Sequence, residues 1–185
     1  MAWNPTSWRF VTSLGFELAG GIAWQVGATG GSFFLKNSYT QRQIELKYGA
    51  LGAGAGAGVP ISLDFSARDM PSGALTPILA RNRPRLEPDD FTGLFVMGNL
   101  QYAVIGHGMA LSAVFFNLPL TDMLFQATGI GMGIGMVLDI LRAGEGNMPS
   151  LVESARAVGL IYSKTVGFQA GVGAMYYYGY LSEAS

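Results

Sequence analysis

The chain has 185 residues, which is enough for one domain with a sizeable core, and its 11 basic residues nearly balance 12 acidic ones. Charged residues make up only 12% of the chain, about half the usual share of a soluble domain, while the 27 glycines are about twice the usual share. This composition excludes a disordered chain and a basic surface for nucleic acid. With no cysteine and one histidine, it also excludes disulfide frameworks, zinc–thiolate centres and multi-histidine metal sites.

The N-terminal residues, 1–9, lack both the basic region and the apolar run of a cleavable signal peptide. The sequence therefore leaves the compartment open: the chain stays in the cytoplasm, leaves it by a route that needs no cleaved signal, or is a processed or re-engineered mature form.

Residues 9–26 give the first strand prediction, because large apolar side chains occupy seven of nine even positions but only one odd position, Val11. A period of two is typical of a strand with two different faces. Glu17 and Gln25 lie on the small-residue face, so they are candidate polar groups in a lumen or ligand pocket. Trp24 lies on the large apolar face and is a candidate interface residue.

The same alternation recurs in four later segments: 44–59, 61–66, 128–140 and 166–178. In several of them glycine or alanine stands opposite the large residues, although glycine contributes no packing and costs backbone entropy. We therefore expect something to approach that face closely: a second sheet, a helix, a ligand, a narrow barrel interior or a neighbouring subunit. Asp139 and Gln169 occupy places comparable to that of Glu17 and join it as candidates for a lumen or ligand site.

Residues 70–92 contain four prolines and three arginines and predict a long irregular connection. In an extended chain Arg81, Arg83 and Arg85 fall on one side, where they would bind anionic lipid headgroups, a carboxylate or an acidic partner. The competing interpretation is a solubilising loop, or ion pairing with the acidic cluster at residues 87–90.

That acidic cluster and His107 are the remaining candidates for chemistry. The spacing of the carboxylates is not that of an EF-hand, and we favour a solvated loop in which Asp89 or Asp90 caps the next element. His107 is a candidate proton-transfer residue or lumen ligand, but no serine motif or second histidine supports it, and we favour a structural histidine. No segment has a dinucleotide-binding or P-loop pattern, so we predict neither a cofactor nor a metal site.

Two features near the C-terminus add a helix and an interface. Ser150 and Glu153 have the spacing of a capping box, which predicts one short helix over about residues 151–158. The aromatic run that follows is typical of a membrane or protein interface, and equally of an edge strand packed on the core. Its interface candidates are Tyr176, Tyr178 and Tyr180.

Together these patterns predict a mainly β chain with one domain over residues 1–185, folded as an antiparallel barrel or a two-layer sandwich with glycine-rich strands. Because both strand faces are shielded, the leading hypothesis is a non-catalytic protein that engages a membrane or lipidic ligand through apolar strands, with an oligomeric pore as one form of it. One alternative is a structural subunit of an obligate homo- or hetero-oligomeric assembly. The other is a β-barrel enzyme or small-ligand binder that uses Glu17, His107 or Asp139.

Overall fold

The computed structural model describes residues 3–20, 24–58, 76–81, 85–104, 107–119, 154–165 and 171–184. The described residues form eight strands and one short 3₁₀ helix. The strands are β1 Trp3–Gly20, β2 Trp24–Asn37, β3 Gln43–Gly58, β4 Thr76–Arg81, β5 Gly93–Val104, β6 His107–Phe116, β7 Ala157–Thr165 and β8 Gly171–Glu183, and the 3₁₀ helix is Pro88–Phe91. All neighbouring strands are antiparallel and close into a barrel in the order β1-β2-β3-β8-β5-β6-β7-β4. The predicted mainly β fold is confirmed, and it is a barrel rather than a sandwich.

The strand order consists of two successive Greek keys. Strands β1, β2 and β3 are neighbours in sequence order, and β4 returns to lie beside β1; strands β5 to β8 repeat this arrangement, with β8 beside β5. The two halves join where β3 pairs with β8 and where β4 pairs with β7. The order therefore differs from that of an up-and-down barrel, in which each strand pairs with the next along the chain.

The strands are steeply tilted in the barrel wall. A row of paired residues that starts at Leu18 in β1 returns to β1 at Pro5, after one residue from each of the other seven strands. The intervening residues are Ala28, Leu51, Tyr178, Val96, Phe115, Val158 and Leu79. A displaced closure of this kind is the stagger that a closed barrel requires, and it sets the tilt of the strands.

Among the described side chains, aromatic rings dominate the core of the barrel interior. Phe10 lies at its centre, with ring centroids 5.6 Å from Phe33 and 6.0 Å from Phe116, and Phe33 stacks on Tyr48 at 4.4 Å. Phe95 closes this group from β5. We call the nearby barrel end the rim; it carries the turn between β2 and β3, the 3₁₀ helix and the C-terminal end of β8.

Several inward glycines lie where a side chain from another strand needs the space. A Cβ atom on Gly159 in β7 would collide with the ring of Phe10, and one on Gly52 would collide with Tyr177 and the backbone of β8. Gly54 and Gly179 are crowded in the same way by the neighbouring strand. At these positions another strand of the same barrel makes the close approach to glycine, because the barrel interior is narrow.

The single alternation predicted over residues 9–26 is wrong beyond Val11. The register between β1 and β2 shifts between Phe10 and Thr12, so that Ser13 pairs with the inward-facing Phe33. This β-bulge inserts one residue. Every later residue of β1 is therefore paired with residues of the opposite sheet face from the one that the alternation predicts.

Two further predictions need correction. The irregular connection predicted over 70–92 contains strand β4, which pairs with β1 and β7 because Ile78 and Ala80 have the period-two burial of a strand. Of the helix predicted over about 151–158, residues 151–153 lie outside the described part and Ser154 is helical, but β7 begins at Ala157. Pairing of Ala157 with Phe116 and Ala80 overrides the capping signal there.

Candidate functional site

The predicted lumen residues are distributed along the barrel rather than gathered in one site. Glu17 pairs with the buried Thr29, and Gln25 pairs with Gly54. His107 begins β6 and pairs with Val104 at the end of the barrel opposite the rim. Asp139 and Gln169 lie outside the residues that the structure describes. Strand pairing places Glu17, Gln25 and His107 in different rows of the barrel.

Asn99 is a buried polar residue that the sequence analysis did not select. It is 1% exposed, on the same face of β5 as the core residues Phe95 and Met97, and neither amide atom has a hydrogen-bond partner among the described residues. Its paired neighbours are Met175 in β8 and the buried Ser112 in β6. An unpaired buried amide costs on the order of 1–3 kcal/mol, so Asn99 lowers the stability of the barrel. The only sequence signal for it is a polar residue within an apolar strand.

Of the five large apolar side chains that are exposed among the described residues, three lie together on the outer surface of β2, β3 and β8. Val26 is 71% exposed, Leu51 is 73% exposed and Tyr180 is 59% exposed. We call this surface the exposed wall. It comprises Val26, Ala28, Gly49, Leu51, Ala53, Tyr178 and Tyr180, which are neighbours through strand pairing. Gly49 lies in its middle, and a Cβ atom there would have nothing within 4 Å. Tyr178 and Tyr180 were predicted as interface residues, and both lie in this wall; another candidate, Trp24, pairs with Ala55 in two of the same strands, β2 and β3.

The outer face on the opposite side of the barrel is covered. Val96, Ala113, Phe115 and Val158 alternate with the inward-facing residues of β5, β6 and β7, yet each is nearly inaccessible to solvent. They form a separate cluster against which Tyr176 packs. Among the described side chains, the outer apolar face of β5, β6 and β7 is thus largely buried, with Tyr162 at 37% exposure as an exception, whereas the exposed wall is open to solvent.

Burial raises the pKa of two tyrosines at the edge of this covered cluster. Desolvation, and secondarily the charge of Tyr178, raises the pKa of Tyr176 far above its ordinary value. Desolvation also raises the pKa of Tyr178. The hydroxyl of Tyr176 is buried without a hydrogen-bond partner. Both phenols therefore stay neutral to a higher pH than an exposed tyrosine does.

The charged residues of the described chain are concentrated at the rim. Only Glu17 and Lys164 lie in strands away from it. The charged residues at the rim are Arg9, Lys36, Arg42, Glu45, Lys47, Arg81, Arg85, Glu87, Asp89, Asp90, Arg156 and Glu183. Charge and exposed apolar surface thus occupy different zones of the same barrel.

The predicted arginine patch forms only in part. Arg81 ends β4 opposite Trp3, Arg85 is exposed in the segment before the 3₁₀ helix, and Arg83 lies outside the described residues. The acidic cluster behaves as expected for a cap: the Oδ2 atom of Asp90 accepts a hydrogen bond of 3.0 Å from the backbone N–H of Glu87. Among the residues whose placement is described, no group of three His, Cys, Asp or Glu side chains could hold a metal ion.

Comparisons with known proteins return no relative. A scan of protein-family models finds no match to this chain, and searches of curated proteins and of solved structures find no significant similarity. Within the described ranges, no helix is long and apolar enough to cross a membrane.

Proposed function

We propose that this barrel is a non-catalytic protein that binds a lipid bilayer through its exposed wall. The observation that carries the proposal is the exposure of Val26, Leu51 and Tyr180 on one continuous apolar face while nearly all described charges lie at the rim. An exposed apolar face of this kind marks an interaction site rather than ordinary protein surface.

The length of β3, which continues past the exposed wall to Gly58, supports a bilayer as the partner. From Gly49 to the end of β3 at Gly58 the chain advances about 30 Å at roughly 3.3 Å per residue. With a strand tilt of about 40°, this corresponds to about 23 Å along the barrel axis, close to the apolar band of about 25 Å on barrels that face lipid. The residues paired along this stretch of β3 are Ala, Gly, Val, Met and Tyr in β8.

The border between wall and rim also has the composition of a membrane interface. The row Ser32–Lys47–Ser182 lies next to the row that contains Gly49 and Tyr180. Tyrosine and lysine at such a border place an amphipathic ring and a charged group at the headgroup level. The rim would then face water and headgroups while the wall contacts the acyl chains.

Coverage of the outer face on β5, β6 and β7 limits the contact to one side of the barrel. We therefore propose that the exposed wall lies against the bilayer, and that a pore requires several copies to cooperate. The alternative from the sequence, a structural subunit, predicts instead that a second copy or another protein covers the same wall.

The test uses two substitutions at one position that the fold tolerates equally. Gly49→Leu and Gly49→Glu both extend into open space on the wall, so neither disturbs the core. Co-sedimentation with phosphatidylcholine vesicles should increase for Gly49→Leu and fall for Gly49→Glu, because a charge in the contact must be desolvated. Dye release from the same vesicles measures pore formation separately.

The competing outcome is equally specific. If the wild-type chain does not sediment with vesicles, and Gly49→Glu instead converts a stable oligomer to monomer in light scattering, then the wall is a protein interface and the bilayer proposal is wrong.

A further inference from the structure

A groove at the rim brings together three arginines from three separate elements. It has a volume of about 1060 Å³, and Arg9 of β1, Arg42 of the β2–β3 turn and Arg85 of the segment before the 3₁₀ helix all line it. One carboxylate, that of Glu87, lines it as well. The groove thus has an excess of guanidinium groups in a chain whose formal charge is −1.

The walls of the groove are fixed to β1 by hydrogen bonds. On one side, the Nε1–H of buried Trp8 donates to the carbonyl of Leu86 at 2.7 Å, which holds the neighbouring Arg85 beside β1. On the other side, the backbone N–H of Ser38 and the Nδ2 of Asn37 donate to Ser7 at 2.8 and 3.1 Å. Both sides are therefore positioned before any ligand arrives, which lowers the entropy cost of binding.

The three guanidinium groups differ in the hydrogen bonds and ion pairs that they already make within the protein. Arg9 donates through Nη1 to the carbonyls of Thr6 and Trp8, at 2.6 and 3.0 Å, which orients the group at the edge of the groove. Arg42 makes one exposed contact of 3.5 Å with Glu183, a pair of little energetic weight. Arg85 is exposed and has neither a hydrogen bond nor an ion pair with any described residue.

From this geometry we infer that the rim groove binds a phosphate group, as a monoester or diester. Guanidinium groups bind phosphate oxygens through paired, charge-assisted hydrogen bonds, and three of them can surround one phosphate from different sides. The amide of Asn37 also lines the groove, but its Nδ2 already donates to Ser7 and its Oδ1 accepts the N–H groups of Tyr39 and Thr40. The charged donors that line the groove are the three arginines.

An anionic lipid headgroup and a soluble phosphate ester share this chemistry. Tyr39, 87% exposed on the groove, lies on the turn that joins two strands of the exposed wall, so the groove is at the headgroup level of the bilayer contact proposed above. Recognition of a headgroup rests on that proposed contact, whereas recognition of the phosphate itself does not.

The experiment measures both forms of the ligand with one set of variants. Glycerol 3-phosphate binding is followed by calorimetry, and vesicle binding by co-sedimentation with phosphatidylcholine, with and without phosphatidylglycerol. Arg85→Gln and Arg42→Gln should each weaken binding about fivefold, the share expected of one arginine near an anionic surface. Arg156→Gln is the matched control, because it removes an exposed arginine that lies at the rim but not in the groove.

The outcomes separate this inference from the bilayer proposal. Arginine-dependent binding of glycerol 3-phosphate supports the groove even if no vesicle binds, and arginine-dependent preference for phosphatidylglycerol vesicles supports it with a lipid as the source. If the wild-type chain binds neither phosphate form, or if Arg156→Gln weakens binding as much as Arg85→Gln does, the groove is not a phosphate site. In that case, binding to neutral vesicles would support the bilayer contact of the exposed wall but not the phosphate site.

Discussion

Gly159→Ala is the sharpest test of the claim that the narrow barrel interior excludes a side chain at inward glycines. A Cβ atom at this position in β7 would collide with the ring of Phe10, which is itself 1% exposed and held by Phe33 and Phe116. Phe10 cannot move away without disturbing those two contacts. Adding one methyl group to a packed core of this kind costs about 1–3 kcal/mol in unfolding free energy.

Gly49→Ala is the matched control, since it makes the same chemical change in a strand but places the methyl group in open space. Alanine restricts the unfolded chain more than glycine does, so where the native backbone accepts it, stability rises by about 0.4–1 kcal/mol. Between the two variants we therefore expect a difference of about 1.5–4 kcal/mol, or roughly 3–16 °C in Tm for a chain of this length.

Urea and thermal unfolding of both variants, followed by circular dichroism, measure this difference. Phe10→Leu combined with Gly159→Ala should lose less stability than the two single losses added together, because the smaller side chain removes the collision. Equal stability of Gly159→Ala and Gly49→Ala would refute the account of the inward glycines, and so would strict additivity of the double variant.

Three further predictions concern the buried polar groups and the groove. Asn99→Leu should raise the unfolding free energy by about 1–3 kcal/mol, because it removes a buried amide with no partner, whereas Ser112→Ala beside it should not reproduce that gain. The contribution of Tyr176 and Tyr178 to the unfolding free energy should be constant up to about pH 10 and fall above it, since the unfolded state then releases phenolic protons that the folded state retains; Tyr176→Phe should reduce that fall in a pH series of urea titrations. Trp8→Phe should loosen the segment around Leu86 by removing the indole donor, which hydrogen exchange at residues 85–87 would detect and which unchanged exchange would contradict.

The strand content of this chain was predictable because period-two alternation is a local property. Ile44, Leu46 and Tyr48 alternate with polar residues in the sequence, and all three contact the barrel core. The failures occurred where a distant partner decides the structure. Whether Ala157 is helical or extended depends on its pairing with Phe116, and β4 forms because β1 and β7 lie on either side of it.

The candidate sites were less predictable, because each depends on which strands are neighbours. Leu51 and Tyr178 are far apart in the sequence and become one surface only when β3 pairs with β8, a connection between the two Greek keys. The sequence analysis selected Arg85 as a candidate for anion binding because of its place in residues 70–92. It did not select Arg9 or Arg42. Only the docking of the β2–β3 turn onto Ser7 brings them to the same groove.

The small residues of the strands have two different structural origins. Inward positions such as Gly52 and Gly159 are small because the interior has no room, and outward positions such as Gly49 and Ala53 are small on a surface that is open. Sterics explains the first set but cannot explain the second, since a larger or charged residue at Gly49 would meet no atom. A wall that stays small and uncharged without any steric need is best explained by what it contacts. This is why Gly49, rather than any crowded glycine, is the position at which the proposed function should be tested.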